Sequence, residues 1–338
     1  MIRRASQPRR SARFAELRVA AVVDEFTRAS LAPEVQLLSL DARIWPIELI
    51  WFRPHFLFVE SAWRGHRDGW KGRIASYPGQ RPSRRLAALV FACKRLGIPT
   101  AFWNKEDPVH YDRFITAARH FDHVFTTAAE VSGDYERDCG AAATALPFAY
   151  QPEIYAAGEG QRAARIVFAG SYGESHFPVR RRQLEMLLDG ALAVEDAELR
   201  IFDRNAVVGN QDKLFPDRFR PYIAGARDYR QLADEYRSAR VGLNVNSVTD
   251  STTMFSRRVV EMLACGLPVV SGPGRGMSEV LGDLVTIATT VEQVRDACAE
   301  LARGGEEFDL RSRRGIEVVS SGHRVVDRLT VITERVLG

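Results

Sequence analysis

Short apolar runs rich in β-branched and aromatic residues alternate with amphipathic segments almost from one end of the chain to the other, and this rhythm is the strongest constraint on its fold. Strands that are apolar on both faces must be covered on both. Strands alternating with helices therefore predict parallel sheets with helices on each side. In the first half the expected strands are "LRVAAVVD" (17–24), "VQLLSL" (35–40), "PHFLFVES" (54–61), "TAFWNK" (100–105), "HVFTT" (123–127) and "ATALPF" (143–148). The second half restarts with "RIVFAGS" (165–171), "ELRIFD" (198–203), "VGLNVN" (241–246), "LPVVSG" (267–272) and "LVTIATT" (284–290). A length of 338 residues suits two domains of about 150 residues each. The expected organisation is a disordered basic tail (1–16), an α/β domain (17–150), the polar, glycine-containing linker "QPEIYAAGEGQRAA" (151–164), a second α/β domain (165–322) and a C-terminal helix (323–338) able to pack back on the first domain. Ligands in such sheets sit beyond the carboxyl ends of the strands, so the two halves are expected to face a central cleft.

Those strand ends carry the chemistry. "TAFWNKEDPVHYDRF" (100–114) leaves a core strand and crowds Trp103, Asn104, Lys105, Glu106, Asp107 and His110 around Pro108. Asp107 and Pro108 suit the start of a helix over 109–119. Capping alone leaves Trp103 to Glu106 unexplained, which favours a functional role. "FLFVESAWRGHRDGW" (56–70) repeats the design with Glu60, Ser61, Trp63, Arg64 and His66, and Asp24, Glu25 and Thr27 follow a third strand. Carboxylates beside aromatic rings suit a sugar, with hydroxyls at its rim and C–H faces between. Trp63 or Trp70 would stack on such a ring or else cap the core.

In the second half "IVFAGSYGESHFPVRRRQL" (166–184) is a strand, a loop holding Gly170, Ser171, Tyr172, Gly173 and Ser175, and a helix opening near Pro178. Small residues let backbone N–H groups approach an anion, and the helix N-terminus adds a favourable field. The bland alternative is a plain strand-to-helix turn, and GxxxxGK[ST] is absent. "TMFSRRVVEMLACGLPVVSGPGRGMSEVLG" (253–282) predicts a helix from about 255 to 265, a stop at Gly266, a strand and a glycine-rich turn that lacks GxGxxG, which argues against a nicotinamide enzyme. Arg257 and Glu261 are four apart, which as a surface salt bridge is worth only a few tenths of a kcal/mol, roughly. Alternatively Glu261 accepts from the ribose hydroxyls of a nucleotide while Arg257 or Arg258 holds its diphosphate. "LNVNSVTDSTTMFSRR" (243–258) would bring Asn246, Ser247, Thr253 and Met254 to the same cleft.

A formal charge of +4 and a sequence pI near 9.0 attract phosphate-bearing partners without requiring nucleic acid. The first thirteen residues lack the apolar core of a signal peptide, and no apolar run approaches the roughly 20 residues of a membrane span, so the expected location is cytoplasmic. Cys93, Cys139, Cys265 and Cys298 have no metal-binding spacing and are expected to pack as small apolar residues.

Jointly, "AAVVDEFT", "FLFVESAWRGHRDGW", "IPTAFWNKEDPVHYDRF", "VFTTAAE", "LPFAYQP", "IVFAGSYGE", "LNVNSV", "TMFSRRVVEMLACGLPVVSG" and "MSEVL" resemble bacterial GT-B glycosyltransferases of the spore maturation protein CgeB type. They run in order over most of the chain. The resemblance implies two Rossmann-like domains, a UDP- or GDP-linked sugar donor held by the second, a glycan or other hydroxyl acceptor approached by the first, and no required metal or other cofactor. It implies donor contacts from Gly170, Ser171, Tyr172, Arg204, Asn246, Ser247, Thr253, Met254, Arg257, Arg258, Glu261 and Glu279, and acceptor-side roles for Asp24, Glu60, Trp63, Trp103, Asn104 and Lys105. Asp107, Glu106 and His110 become candidate bases for the acceptor hydroxyl. In retaining members a Glu-x7-Glu motif ends at the position of Glu261, but the position of its first glutamate is Thr253 here, which leaves the stereochemical outcome open.

The function expected is sugar transfer for a cell-surface glycan or polysaccharide, against nucleotide-sugar epimerisation or non-catalytic glycan binding on the same fold. Partners are the nucleotide sugar and its acceptor and not nucleic acid. Peripheral membrane association and oligomeric state stay open.

Overall fold

The computed structural model of the chain describes residues 13–77, 83–173, 177–205 and 214–338. Most of the expected basic tail, and Ser175 of the glycine loop, lie outside these residues. The chain divides into two compact units, one of residues 1–147 with 325–338 and one of residues 148–324.

The first unit is a six-stranded sheet of β1 (Arg18–Val22), β2 (Gln36–Ser39), β3 (Phe56–Glu60), β4 (Thr100–Asn104), β5 (His123–Thr126) and β6 (Thr144–Ala145), in the order β2-β1-β3-β4-β5-β6. Its helices are α1 (Glu25–Leu31), α2 (Trp45–Phe52), α3 (Arg84–Arg95), α4 (Tyr111–Ala118) and α5 (Ser132–Cys139). Every strand pair is parallel. β3 and β4 are buried along their whole length, as strands covered on both faces must be.

The second unit holds β7 (Arg165–Gly170), β8 (Glu198–Asp203), β9 (Val241–Asn244), β10 (Val269–Ser271) and β11 (Val285–Ile287), ordered β11-β10-β9-β7-β8 and again parallel throughout. Around it run α6 (Pro178–Leu192), α7 (Gln231–Ser238), α8 (Arg257–Ala264), α9 (Arg275–Leu281), α10 (Val291–Arg303) and α11 (Glu306–Gly322). Phe168, Leu184, Leu188, Ile201, Leu243 and Val294 form the centre of its core. Gly190 permits the close α6–α10 packing, since a Cβ there would lie 2.5 Å from Val294 Cβ. The chain returns to the first unit in α12 (Val325–Val336), where Arg328 Nε donates to the Pro147 carbonyl at 2.7 Å.

All eleven expected strands form, most of them shorter by a residue or more at their ends. Numbered within each unit, the first five strands of both sheets have the order 2-1-3-4-5. The order reverses beside the first strand, so β1/β3 and β7/β9 are the places where ligands of such sheets bind. The segment expected as a linker lies within the second unit. Gln151, Ile154 and Tyr155 are buried there, and Tyr155 donates to the Tyr229 carbonyl at 2.8 Å. Cys93, Cys265 and Cys298 are buried thiols, each pushed up to about 12 by burial, and Cys139 is half-buried, in keeping with packing roles. Among the described residues no helix is long and apolar enough to cross a membrane.

Candidate functional site

In the second unit, the loop after β7 is held open from below by an arginine. Arg180, the third residue of α6, is buried and donates from Nη1 to the Tyr172 carbonyl at 2.6 Å and from Nη2 to the Ser171 carbonyl at 2.8 Å. Gly173 makes room for it, with φ at +100° and a Cβ position only 2.5 Å from Nη1. Arg181 donates to the Gly173 carbonyl at 2.9 Å. Arg258, near the start of α8, lies over the Phe168 ring at 5.3 Å, and a Cβ on Gly170 would meet its Nη2 at 3.0 Å. Its Nη1 is buried and has no hydrogen-bond partner among the described residues.

Positive charge is concentrated here. Burial and the neighbouring Arg258, Arg204 and Arg181 push Arg180 down to about 9. Burial first, and then Arg204 and Arg257, also depress Arg258, against the opposing pull of Tyr236 and Glu261. Guanidinium groups that depress one another, with an unused buried N–H among them, make a site for a multiply charged anion.

Three residues along from Arg258, Glu261 is buried rather than a surface partner. Its Oε1 accepts from Tyr229 at 2.7 Å and pairs with Arg257 Nε at 2.8 Å, while Oε2 has no hydrogen bond among the described residues. Asn246 donates to the Gly272 and Pro273 carbonyls at 3.0 and 3.1 Å, tying the end of β9 to the turn after β10. The backbone N–H groups of Thr253 and Met254 turn back on Ser251 Oγ, and the Met254 carbonyl rests where a Cβ on Gly276 would be, 2.4 Å away. Ser247 is exposed.

Two donor-side expectations are corrected. Tyr172 is a packed ring, donating to Glu185 with Arg181 stacked at 4.8 Å, because its side chain points into the core behind the loop. Glu279 is the fifth residue of α9 and forms an exposed pair with Arg275 at 2.6 Å.

In the first unit the polar strand ends meet at the β1/β3 switch point. Lys105 Nζ lies 3.1 Å from Asp24 and 3.0 Å from Glu60. Glu60 is fully buried and also accepts from the Asp24 N–H at 2.6 Å and from Thr27 at 2.5 Å. Asp24 accepts from the N–H groups of Arg64 and Gly65 at 3.3 and 2.8 Å. Burial works to depress Lys105, but Glu60 and Asp24 outweigh it and hold the ammonium above its ordinary value. Burial raises Glu60. In Asp24 burial is outweighed by Lys105 and the N–H groups, so its carboxyl sits below the ordinary range.

Several first-unit expectations change. Asp107 does not cap a helix and is sealed from solvent. It is fully buried, accepting from Asn104 at 2.6 Å, Thr126 at 2.6 Å and Tyr135 at 2.9 Å, and His110 precedes α4 instead. Both oxygens are occupied by core donors, so Asp107 and Asn104 knit β4, β5 and α5 together. Trp103 is a core residue, donating to the Leu146 carbonyl at 3.1 Å and stacked on Phe58, and Trp70 is likewise buried, donating to the Leu40 carbonyl at 2.7 Å. Trp63 stays half-buried with its ring against His110 at 5.1 Å and Phe114 at 5.2 Å. Glu106 is half-buried and its carboxylate makes no hydrogen bond among the described residues.

Arg180 and Tyr229 were missed by sequence reasoning. "VRRRQL" did hold a signal, because three consecutive arginines near the start of a helix oppose the helix dipole and need another reason to be there. Tyr229 carried none, being brought to Glu261 only by the fold.

Residues 180–334 match the model of the family described as glycosyl transferase-like. Among solved structures, HepE from Anabaena in complex with UDP-glucose superposes with a TM-score of 0.59 at 11% identity, covering 94% of this chain and 90% of that one. A glycosyltransferase from Rickettsia africae gives 0.57 at 10% identity, covering 95% and 98%. The fold is GT-B. The GT-B likeness extends to sucrose-phosphate synthase from Thermosynechococcus elongatus, with a TM-score of 0.54 at 13% identity over 87% of this chain and 76% of that one. At these identities the relation is one of fold. No curated protein sequence matches the chain.

Proposed function

We propose that this GT-B protein is a glycosyltransferase that moves a sugar from a nucleotide diphosphate sugar to an acceptor hydroxyl. The observation that carries the reading is the arginine cluster at the β7 loop, with Arg258 Nη1 and Glu261 Oε2 on the same helix both lacking hydrogen-bond partners among the described residues. Arg180, Arg204 and Arg258 suit a diphosphate and Glu261 suits a ribose diol. With the diphosphate charge met by guanidinium groups, the reading needs no metal. HepE, solved with UDP-glucose, supports a uridine donor. The first unit would supply the acceptor side through Trp63, Lys105 and Asp24. Glu106, whose carboxylate makes no hydrogen bond among the described residues, takes the place of Asp107 as the base, with His110 four positions on. Cell-surface glycan synthesis in the cytoplasm remains the context in which we place it, and the CgeB type the subfamily.

A second reading, glycan binding without turnover, is favoured by one observation: Asp107 and Glu60 are both committed to internal networks. Calorimetry with UDP, GDP and their glucose conjugates, followed by release of nucleoside diphosphate with and without sugar acceptors, tests both. Acceptor-dependent release supports transfer. Binding with no release supports the second reading, and no binding of any nucleotide at millimolar concentration removes the first.

A further inference from the structure

Helix α2 turns its apolar side outward. Ile44, just before its first residue, and Ile47, Ile50 and Trp51 are 51%, 71%, 68% and 77% exposed, whereas Leu49 is buried. At 100° per residue these four side chains share an arc of about 120°, the arc that a surface helix ordinarily gives to the core. The two carboxylates of the segment are turned to the backbone, Glu48 accepting from the Asp41 N–H at 2.9 Å and Asp41 from the Arg43 N–H at 2.7 Å. Arg43 and Arg53 flank the helix, both exposed. Arg85 Nη1 donates to the Ala42 carbonyl at 2.8 Å, which sets the exposed start of α3, Arg84 and Arg85, beside the start of α2.

Charge is unevenly divided in the same sense. The first unit holds 24 Lys and Arg against 18 Asp and Glu, a net of +6, so the remaining unit of this +4 chain carries −2. Four of those arginines fall in the first twelve residues, which contain no carboxylate.

We propose that α2 docks the first unit on an anionic lipid bilayer, with Ile44, Ile47, Ile50 and Trp51 entering between headgroups and Arg43, Arg53, Arg84 and Arg85 remaining with the phosphates. Branched aliphatic and indole side chains ringed by guanidinium groups suit that zone, where apolar atoms leave water while the cations keep their counter-ions. A second copy of the chain is the poorer occupant, because it would bring two strongly basic units face to face. The proposal is independent of the transferase reading.

Flotation of the full chain with phosphatidylcholine vesicles, with and without about one third phosphatidylglycerol, tests it. Binding is expected only to the anionic vesicles, to weaken with added salt, and to fall at least about tenfold in the Ile47→Glu/Ile50→Glu variant, whose altered side chains are exposed and leave the melting temperature unchanged. Arg43→Gln/Arg53→Gln should weaken binding with the apolar face intact, and brominated lipid should quench wild-type tryptophan fluorescence but quench Trp51→Phe much less. No binding to anionic vesicles, binding equal in wild type and Ile47→Glu/Ile50→Glu, or a dimer that this variant dissociates while vesicles bind neither protein, would overturn it.

Discussion

Tyr229 and Arg257 both engage one carboxylate oxygen of Glu261, at 2.7 and 2.8 Å, and leave the other without a bond among the described residues. If Oε2 receives the ribose, Glu261→Gln should weaken a ribonucleoside diphosphate by about 1–3 kcal/mol. The 2′-deoxy analogue should lose less. Tyr229→Phe, which removes the hydroxyl that orients Glu261, should cost about 1 kcal/mol of the same affinity. Calorimetry with paired ribo and deoxy ligands measures both, and equal losses for the two sugars would detach Glu261 from the ribose.

Arg258→Ala should weaken nucleoside diphosphate binding by about 1.5–3 kcal/mol and leave the nucleoside nearly unchanged. Arg180→Ala should do the same and also lower the melting temperature, since Arg180 supports the Ser171 and Tyr172 carbonyls. Comparable losses for nucleoside and diphosphate would place the phosphates elsewhere.

Gly173→Ala adds a methyl 2.5 Å from Arg180 Nη1 at a residue whose φ is +100°. The loop must move or Arg180 must, so diphosphate affinity should fall while nucleoside affinity holds. Titration of this variant with UDP and with uridine checks the expectation.

Lys105→Met should cost about 3–5 kcal/mol of folding stability, because it leaves Glu60 buried without its cation. Adding Glu60→Gln should recover part of the loss. Urea denaturation of the two single variants and the double variant gives the coupling, and strict additivity would show that the pair is not linked.

Burial pushes Asp107 up to about 7 from the ordinary 3.8, in spite of the Thr126 and Tyr135 hydroxyls that favour its anion. Between these values the folded chain holds a proton that the unfolded chain has released, so the contribution of this group to stability falls as pH rises from about 4 to about 7 and is flat above. Relative to Asp107→Asn, which does not titrate, wild type should lose up to about 4 kcal/mol over that range. Melting curves of both proteins from about pH 4 to about pH 8 read the difference across the window set by these values and the flat region above it. A gap independent of pH would show that Asp107 stays ionised.

Much of the candidate anion site was legible in the sequence because its residues are local. The glycine loop, Arg258 and Glu261 sit at the end of an apolar run or on the helix after one, and strand ends of parallel sheets are where ligands gather. Glu106 and Asp107 are adjacent and chemically alike, and sequence could not say that one is open while the other is sealed under Thr126 and Tyr135. Nor could the pattern "IWPIELIWF" reveal which side of its helix is covered.

The alternation of apolar runs and amphipathic segments by itself determined two parallel α/β units, since strands that are apolar on both faces have few other ways to leave water. Which titratable groups are catalytic candidates and which are internal struts was decided only by tertiary structure. Burial, the number of donors at each oxygen and the distance between guanidinium groups depend on residues far apart in the chain. Tyr229 reaches Glu261 across 32 positions and Lys105 reaches Asp24 across 81. Contacts of that span come from strand order and packing, and no local pattern encodes them.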